Sequence, residues 1–550
     1  MMNTKTGVPA IKIFLNKIDW QLLLFLLLFL QVKLAVKVAG ILLIYLLQWN
    51  FRFGFKIKNS RLPLFYPAII VIAFIGLLIN GNFTNLRYDI VFTTGICFWV
   101  LCILAIHQVK LFVDKNEVEK INQTIIAFFI LNAIVSLITL LIIIIKTGTF
   151  NPYLYQGENQ KYFISTGDYI KGITFDTSTT NAILNAFGVI YFLVKRNVRM
   201  VLLCMIILIL TASNLTSLLL LIAFAGLFIF KSDRDQKSVM LMCFFMLVIF
   251  LGKISPQNDD YVSEVFKKFM PKEKVQEKKN DSATKVVSTE NEKAFKPVVE
   301  YVDTAKKILV QKEISSFAVA DKPLIVAAIR ANTRPFIPSP NINTAPYQQK
   351  NDTTDFQKKL FQFINDNENS LKFSSRSNKG PLLPPGKMVA FQQTMRFMKA
   401  HPQKIFFGDG VGDFSSKLAF RASGFAINGG YPAKLSYFNQ DFLTNHFDLY
   451  LYFFSKQNEL HSVINTSDSV YDQLFSEYGI FGLAVFVFFY AWFFIKKINK
   501  IGYALPVVFL LFNAFAVGYW FEQLSIVVFF ELLMFLNVKE EKKTNEFYAE

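Results

Sequence analysis

ELHSVINTSDSVYDQLFSEYGIFGLAVF, residues 459–486, decides the fold. Its first half is polar, hydroxyl-rich and acidic: His461, Ser462, Thr466, Ser467, Asp468, Ser469, Tyr471 and Asp472. From Gly479 and Gly482 onward it becomes continuous Val, Phe and Ala. A polar segment that re-enters an apolar run marks a membrane surface. A reactive group there meets both a lipid-borne substrate and a water-soluble one.

The rest of the chain agrees. Its 550 residues are 53% hydrophobic and include 61 Phe, well above the apolar share of about 45–50% in soluble domains. Many runs approach the roughly 20 residues that cross a bilayer. The expected fold is an all-α polytopic membrane protein with about twelve transmembrane helices, at 20–31, 34–47, 63–79, 90–106, 121–145, 181–194, 201–210, 215–230, 239–251, 474–495, 503–518 and 521–536. The first run lacks a small-residue cleavage site and reads as a retained helix. Cys97, Cys102, Cys204 and Cys243 all lie in apolar runs, so no disulfide framework or thiolate metal site supports the polar region.

Charge sets the expected orientation. The net charge of +18 comes without a nucleic-acid signature, and nucleic acid is not an expected partner. Basic residues follow the even-numbered runs: Arg52 and Arg61, Lys110 and Lys115, Lys195 and Arg196, Lys231 and Arg234, Lys496 and Lys497, Lys539 and Lys542. That pattern puts both termini in the cytoplasm. Lys33 and Lys37, at the first outer hairpin, are the exceptions. The expected domains are an N-terminal bundle (1–252), a periplasmic loop domain between the ninth and tenth spans (253–473), C-terminal helices (474–538) and a cytoplasmic tail (539–550). The loop is expected to be mostly helical and partly disordered. Within it, 271–380 reads as a flexible insertion and 387–473 as the ordered, site-bearing part. KMVAFQQTMRFMKA (387–400) has apolar residues at 388, 391, 395 and 398, an amphipathic helix that Pro402 ends. DFLTNHFDLYLYFFS (441–455) is aromatic and reads as lying on or dipping into the membrane interface.

GDGVGDF (408–414) has no dinucleotide fingerprint and no calcium-loop spacing. It reads as a tight turn with positive-φ glycines, or as backbone amides that approach an anion. Around it stand Lys387, Arg396, Lys399, Lys404, Lys417 and Arg421. Guanidinium forks suit phosphate oxygens, which singles out Arg396 and Arg421. Arg87 sits beside Asp89, where an ion pair or headgroup contact is the plainer reading. His446 and His461 have no matching ligand spacing, so no zinc site is read. His461 reads as a general base or as structural. Asp468 and Asp472 share a face if helical, or act as acids at a helix start. Glu531 falls inside the last apolar run and is a functional suspect for that reason.

The layout of many spans, one large late outer loop and about three closing spans resembles the O-antigen ligase and O-antigen polymerase superfamily of bacterial inner-membrane glycosyltransferases. HPQKIFFGDGVGDF resembles that family's Gly-rich outer turn. YDQLFSEYGIFGLAVF, with Glu477, Gly479 and Gly482, resembles its re-entry pattern. The family's His-Asn pair about nine residues before the Glu is replaced here by Asp468 and Ser469, and its mid-chain Ser-Arg by Asn214 in TASNLTS (211–217). The resemblance implies inverting, metal-independent transfer of a glycan from a polyprenyl-diphosphate donor to a hydroxyl of a glycan or lipid acceptor, in lipopolysaccharide or other polysaccharide biosynthesis. No cofactor is expected, and membrane lipids surround the spans. Arg396, Arg421, Arg87 and Lys417 would hold the diphosphate. The base would be His461 or Asp468, with His446, Asp472 and Glu477 as further candidates. A polysaccharide or lipid transporter and a non-enzymatic envelope scaffold are the alternatives.

Overall fold

The computed structural model describes residues 15–28, 34–154, 166–230, 232–255, 386–423, 431–447, 449, 466–498 and 502–549. His461, the 271–380 insertion, Lys33 and residues 450–455 lie outside them. The described residues are helical, with no strand.

Each expected apolar run forms a helix. The first nine are α1 (Trp20–Leu28), α2 (Leu34–Gln48), α3 (Phe65–Asn80), α4 (Leu86–Lys115), α5 (Val118–Thr147), α6 (Ser178–Val194), α7 (Val198–Leu210), α8 (Asn214–Phe230) and α9 (Arg234–Ile249). After the long loop come α10 (Gly386–Ala400), α11 (Lys417–Ala422), α12 (Gln440–Asn445), α13 (Val470–Val485), α14 (Ala504–Ala514), α15 (Trp520–Gln523) and α16 (Ser525–Ala549). Four helices are long and apolar enough to cross a membrane: Leu86–Lys115, Val118–Thr147, Arg234–Ile254 and Val470–Ile495. The others are shorter; α14, with 11 residues, rises only about 16 Å.

Local chemistry starts these helices where they start. The Asn85 side chain accepts from the Arg87 and Tyr88 amides, capping α4. Asp233 and Gln236 form a reciprocal capping box at α9. Thr177 caps α6 through the Thr180 amide.

Helix α16 is the axis of the core. Residues 526–536 are buried at every position, as a helix apolar all round requires. It packs on α4, α6 and α14. At its start, Phe65, Tyr66, Trp99, Phe486, Tyr490, Phe515 and Phe521 form one aromatic layer, with neighbouring rings 5.0–6.5 Å apart and mostly edge-on or tilted. Glu531 is buried beside this layer and accepts a hydrogen bond from the Tyr66 hydroxyl.

Six basic residues of the even-numbered connections are held by acids or carbonyls. Arg61 and Lys110 pair with Asp114 at 2.8 and 2.6 Å. Lys195 pairs with Glu540 at 2.7 Å and Arg196 with Asp233 at 2.5 Å. Lys497 donates to the Ser60 carbonyl and Lys539 to that of Val113.

Several sequence expectations are corrected. Helix α10 forms and stops before Pro402, but its buried face is Ala390, Gln393, Thr394, Phe397 and Met398. Met388, Phe391 and Met395 are exposed. The polar Thr394 turns inward because its hydroxyl meets His446. Where the aromatic stretch is described, Phe442, Leu443, Phe447 and Leu449 are buried in the protein instead of lying on its surface. Of the two readings of Asp468 and Asp472, the helix-start one holds for Asp472: α13 begins after Asp468, with Ser469 as its cap, and Asp472 sits in the first turn. The last expected span is broken at Leu524 (φ 66°) into α15 and α16.

Helix α13 is itself broken at Gly479 (φ 66°, ψ −163°). There the 405–414 turn docks: the Ile480 amide donates to the Ile405 carbonyl at 2.8 Å, and Phe481 to Phe406 at 3.2 Å. A Cβ at Gly479 would stand 2.4 Å from the Phe406 carbonyl carbon. That backbone conformation is essentially restricted to glycine. Gly479→Ala is therefore expected to cost at least about 3 kcal/mol, read as a large drop in thermal midpoint in detergent. A wild-type melting curve for this variant would show that the kink is dispensable.

Candidate functional site

Four backbone N–H groups surround one buried carboxylate. Gly412 donates to Glu477 Oε2 at 3.0 Å. Phe414, Ser415 and Ser416 donate to Oε1 at 3.4, 3.1 and 2.9 Å. Gly408, Gly410 and Gly412 all have positive φ, which lets successive amides turn toward one point. Both sequence readings of GDGVGDF thus hold, and the anion its amides approach is the chain's own Glu477. The turn is fixed from outside as well: Asn80 Nδ2 donates to the Gly408 and Asp409 carbonyls at 3.2 and 2.8 Å.

Further acids crowd this turn. Lys404 bridges Asp409 and Asp441, the latter at 3.2 Å. Burial pushes the Asp409 carboxyl up to about 7, with Lys404 pulling the other way and Asp441 adding to the rise. Asp413 is raised further by burial and by Asp409, and Tyr437 donates its hydroxyl to it at 2.8 Å. Asp472 Oδ2 accepts from Ser415 Oγ at 2.9 Å and lies 3.5 Å from His446 Nε2. His446 is fully buried, its ring edge-on to Phe414.

A cationic cluster stands on the turn's far side. Ser416 caps α11, which carries Lys417 and Arg421. Lys37 from α2 lies within electrostatic reach of both, and its ammonium donates to the Gln523 carbonyl at 3.3 Å. Burial lowers the Lys417 ammonium, Asp176 opposes this, and Arg421 adds to it. Glu522 lies within electrostatic reach of Glu477 first, then of Arg421 and Lys417, and accepts from Gln473 Nε2 at 2.8 Å. Among the described residues, several buried polar atoms here have no partner: Arg421 Nε, Glu522 Oε2, Gln523 Oε1 and Ser525 Oγ. Buried polar atoms are ordinarily satisfied, by protein groups, ordered water or a ligand. A small cavity beside them is lined by Trp99, Ser416, Leu418, Gln473, Glu477, Tyr478 and Glu522. The cluster lies near the start of α6, whereas Lys195 follows the end of that helix, so cluster and ion-paired end are at opposite ends of the bundle.

Of the residues picked from sequence, the structure brings Lys417 and Arg421 together. Arg396 is exposed on α10, and Arg87 is exposed and not ion-paired with Asp89. Glu477, Asp472 and His446 are buried around the turn. The Asp468 backbone carbonyl accepts from Lys387, and His461 lies outside the described residues. No group of three or more metal-ligating side chains occurs among the described residues. Sequence reasoning missed Lys37, Asp176 and Glu522. Two of them carried a signal: Lys37 broke the charge rule, and Glu522 sits in an apolar run as Glu531 does.

Comparison with known protein families, curated proteins and solved structures finds no match to this chain.

Two outcomes test this geometry. Glu477→Gln puts an NH2 against the amides that now donate, and is expected to cost about 3 kcal/mol, read as a lowered thermal midpoint. Asp409 has a folded-state value above its unfolded one, so it favours folding at low pH. Its contribution declines as pH rises from about 4 to about 7 and is level beyond. Asp409→Asn is expected to flatten the fall in thermal midpoint over that window; an unchanged slope would place the titration elsewhere.

Proposed function

We propose that this protein is a multi-pass membrane glycosyltransferase that moves a glycan from a polyprenyl-diphosphate donor to a hydroxyl of a glycan or lipid acceptor. The observation that carries this reading is the cluster of Lys37, Lys417 and Arg421 beside unpartnered buried polar atoms. Cations held together away from bulk water repel one another and favour a multiply charged anion. A diphosphate fits that need and is also a leaving group.

In the transfer, the acceptor oxygen forms a bond to the anomeric carbon as the bond to the diphosphate oxygen breaks. The electron pair stays on the diphosphate, and the three cations stabilise the charge that develops there. Attack opposite the diphosphate inverts the anomeric centre. The turn held by Glu477 keeps α11 in place while this happens. The resemblance of HPQKIFFGDGVGDF and YDQLFSEYGIFGLAVF to O-antigen ligases and polymerases supports the same class, and these two segments pack on each other.

In this reading the shorter apolar helices join the four long ones in a bundle of about twelve spans in a bacterial inner membrane. The ion-paired end, with Arg61, Lys110, Lys195 and Lys539, faces the cytoplasm along with both termini. The cationic cluster then faces the periplasm, where the large loop between the ninth and tenth spans adjoins it.

Arg421→Ala and Lys417→Ala are each expected to lower glycan transfer about 100-fold at matched membrane levels. The measurement is the lipopolysaccharide pattern of a deletion strain complemented with each variant. Loss of all O-chain in the deletion strain would mark a ligase; one residual repeat unit would mark a polymerase. Unchanged glycans in the deletion strain would remove the transferase reading.

A further inference from the structure

Transfer to a hydroxyl needs a group that takes the acceptor's proton, and the cavity beside the cations contains two carboxylates, Glu477 and Glu522. Glu477 is committed to the turn: three backbone N–H groups donate to Oε1 and one to Oε2. Drawing it toward an acceptor hydroxyl would loosen the bonds that hold the turn. Glu522 differs. One oxygen is held by Gln473 at 2.8 Å, which fixes the side chain. The other, Oε2, is buried and has no partner among the described residues.

Its placement suits the task. The carboxylate lies on α15, at the break before α16, next to Gln523, whose carbonyl receives Lys37. It lies within electrostatic reach of Glu477, Arg421 and Lys417. In the transferase reading, a donor diphosphate on those cations has its anomeric carbon within reach of this carboxylate. Of the bases named from sequence, Asp468 does not line the cavity and His461 lies outside the described residues.

Resting on the transferase reading, we infer that Glu522 is the general base, accepting the acceptor's hydroxyl proton on Oε2. The step balances: the O–H proton passes to the Glu522 carboxylate, the acceptor oxygen bonds to the anomeric carbon, and the polyprenyl diphosphate leaves with the electron pair. Glu522 returns its proton to water or to the departing diphosphate. Gln473 is a positioning residue, since it acts through Glu522.

The test uses the full chain in lipid nanodiscs, with lipid-linked glycan extracted from its own host's membranes as donor, and undecaprenyl diphosphate as the binding probe. Glu522→Gln is expected to bind undecaprenyl diphosphate within about twofold of wild type, yet to transfer at least about 100-fold more slowly. Azide, a nucleophile with no proton to lose, is expected to release the glycan as a glycosyl azide equally well in variant and wild type, which a merely structural role would not allow. Transfer at the wild-type rate by Glu522→Gln, or failure of azide to bypass the defect, overturns the assignment of the base while leaving the enzyme class standing. Loss of transfer in His461→Ala together with azide bypass there, and neither in Glu522→Gln, also overturns it. If wild type itself neither binds undecaprenyl diphosphate nor consumes donor, the transferase reading fails and this assignment fails with it. Should Glu522→Gln not insert, Glu522→Asp serves in its place. A tenfold or greater fall in transfer with unchanged probe binding supports the base role, and a parallel loss of binding and rate overturns it.

Discussion

A buried carboxylate ringed by four backbone N–H groups holds this structure together. An ionised carboxylate away from water is costly unless it is hydrogen-bonded, and Glu477 meets that requirement wholly from the 412–416 turn. The consequences propagate in one chain. The amides converge only if the glycines at 408, 410 and 412 take positive φ. The turn approaches α13 only if Gly479 leaves no Cβ in its way. Ser416, whose amide is the closest donor to Glu477, uses its hydroxyl to cap α11 through the Ala419 amide. Helix α11 carries Lys417 and Arg421. The position of Lys417 and Arg421 is thus set by Glu477.

Much of this was legible in the residues. Hydropathy located every described helix of the bundle, because a run of Leu, Ile, Val and Phe with few charges has no stable alternative to helix in lipid. The two segments around GDGVGDF and Glu477 were picked out separately, but nothing in a linear sequence says that the amides of one meet the carboxylate of the other. That pairing spans more than 60 positions. Which face of α10 is buried was not legible for a related reason. Periodicity assigns the apolar stripe to the core, yet in a chain bordered by lipid an apolar stripe has a second destination. Hydrogen bonding decided the matter: Thr394 turns inward to His446, and Met388, Phe391 and Met395 turn outward.

Lys37 and Glu522 show how an exception carries information. Lys37 broke the pattern that orients the other basic residues, and it is buried with its ammonium on a carbonyl beside Glu522. A lysine placed only to orient a helix has no need of burial. Glu522 stood in an apolar run that ordinary sequence economy would have filled with Leu or Phe. The break at Leu524 explains how it is tolerated, since α15 and α16 are separate helices and the interruption exposes backbone and side-chain polar atoms to one shared space.

The two ends of the bundle treat charge differently, and that difference bears on function. At one end each named basic residue meets an acid or a carbonyl: Asp114 takes two cations, and Glu540 and Asp233 take one each. Such pairing fixes connections and leaves little for a ligand to gain. At the other end Lys37, Lys417 and Arg421 share Asp176 and Glu522 among them, while Arg421 Nε, Glu522 Oε2, Gln523 Oε1 and Ser525 Oγ go without partners among the described residues. Buried polar atoms require partners, and a polar, multiply charged ligand bound there would supply them. The carboxylate of Glu477, held by four backbone N–H groups, and that of Glu522, held through one oxygen, line the same cavity and repeat this division at the scale of two side chains: one builds the site, and the other acts in it in the proposed reading.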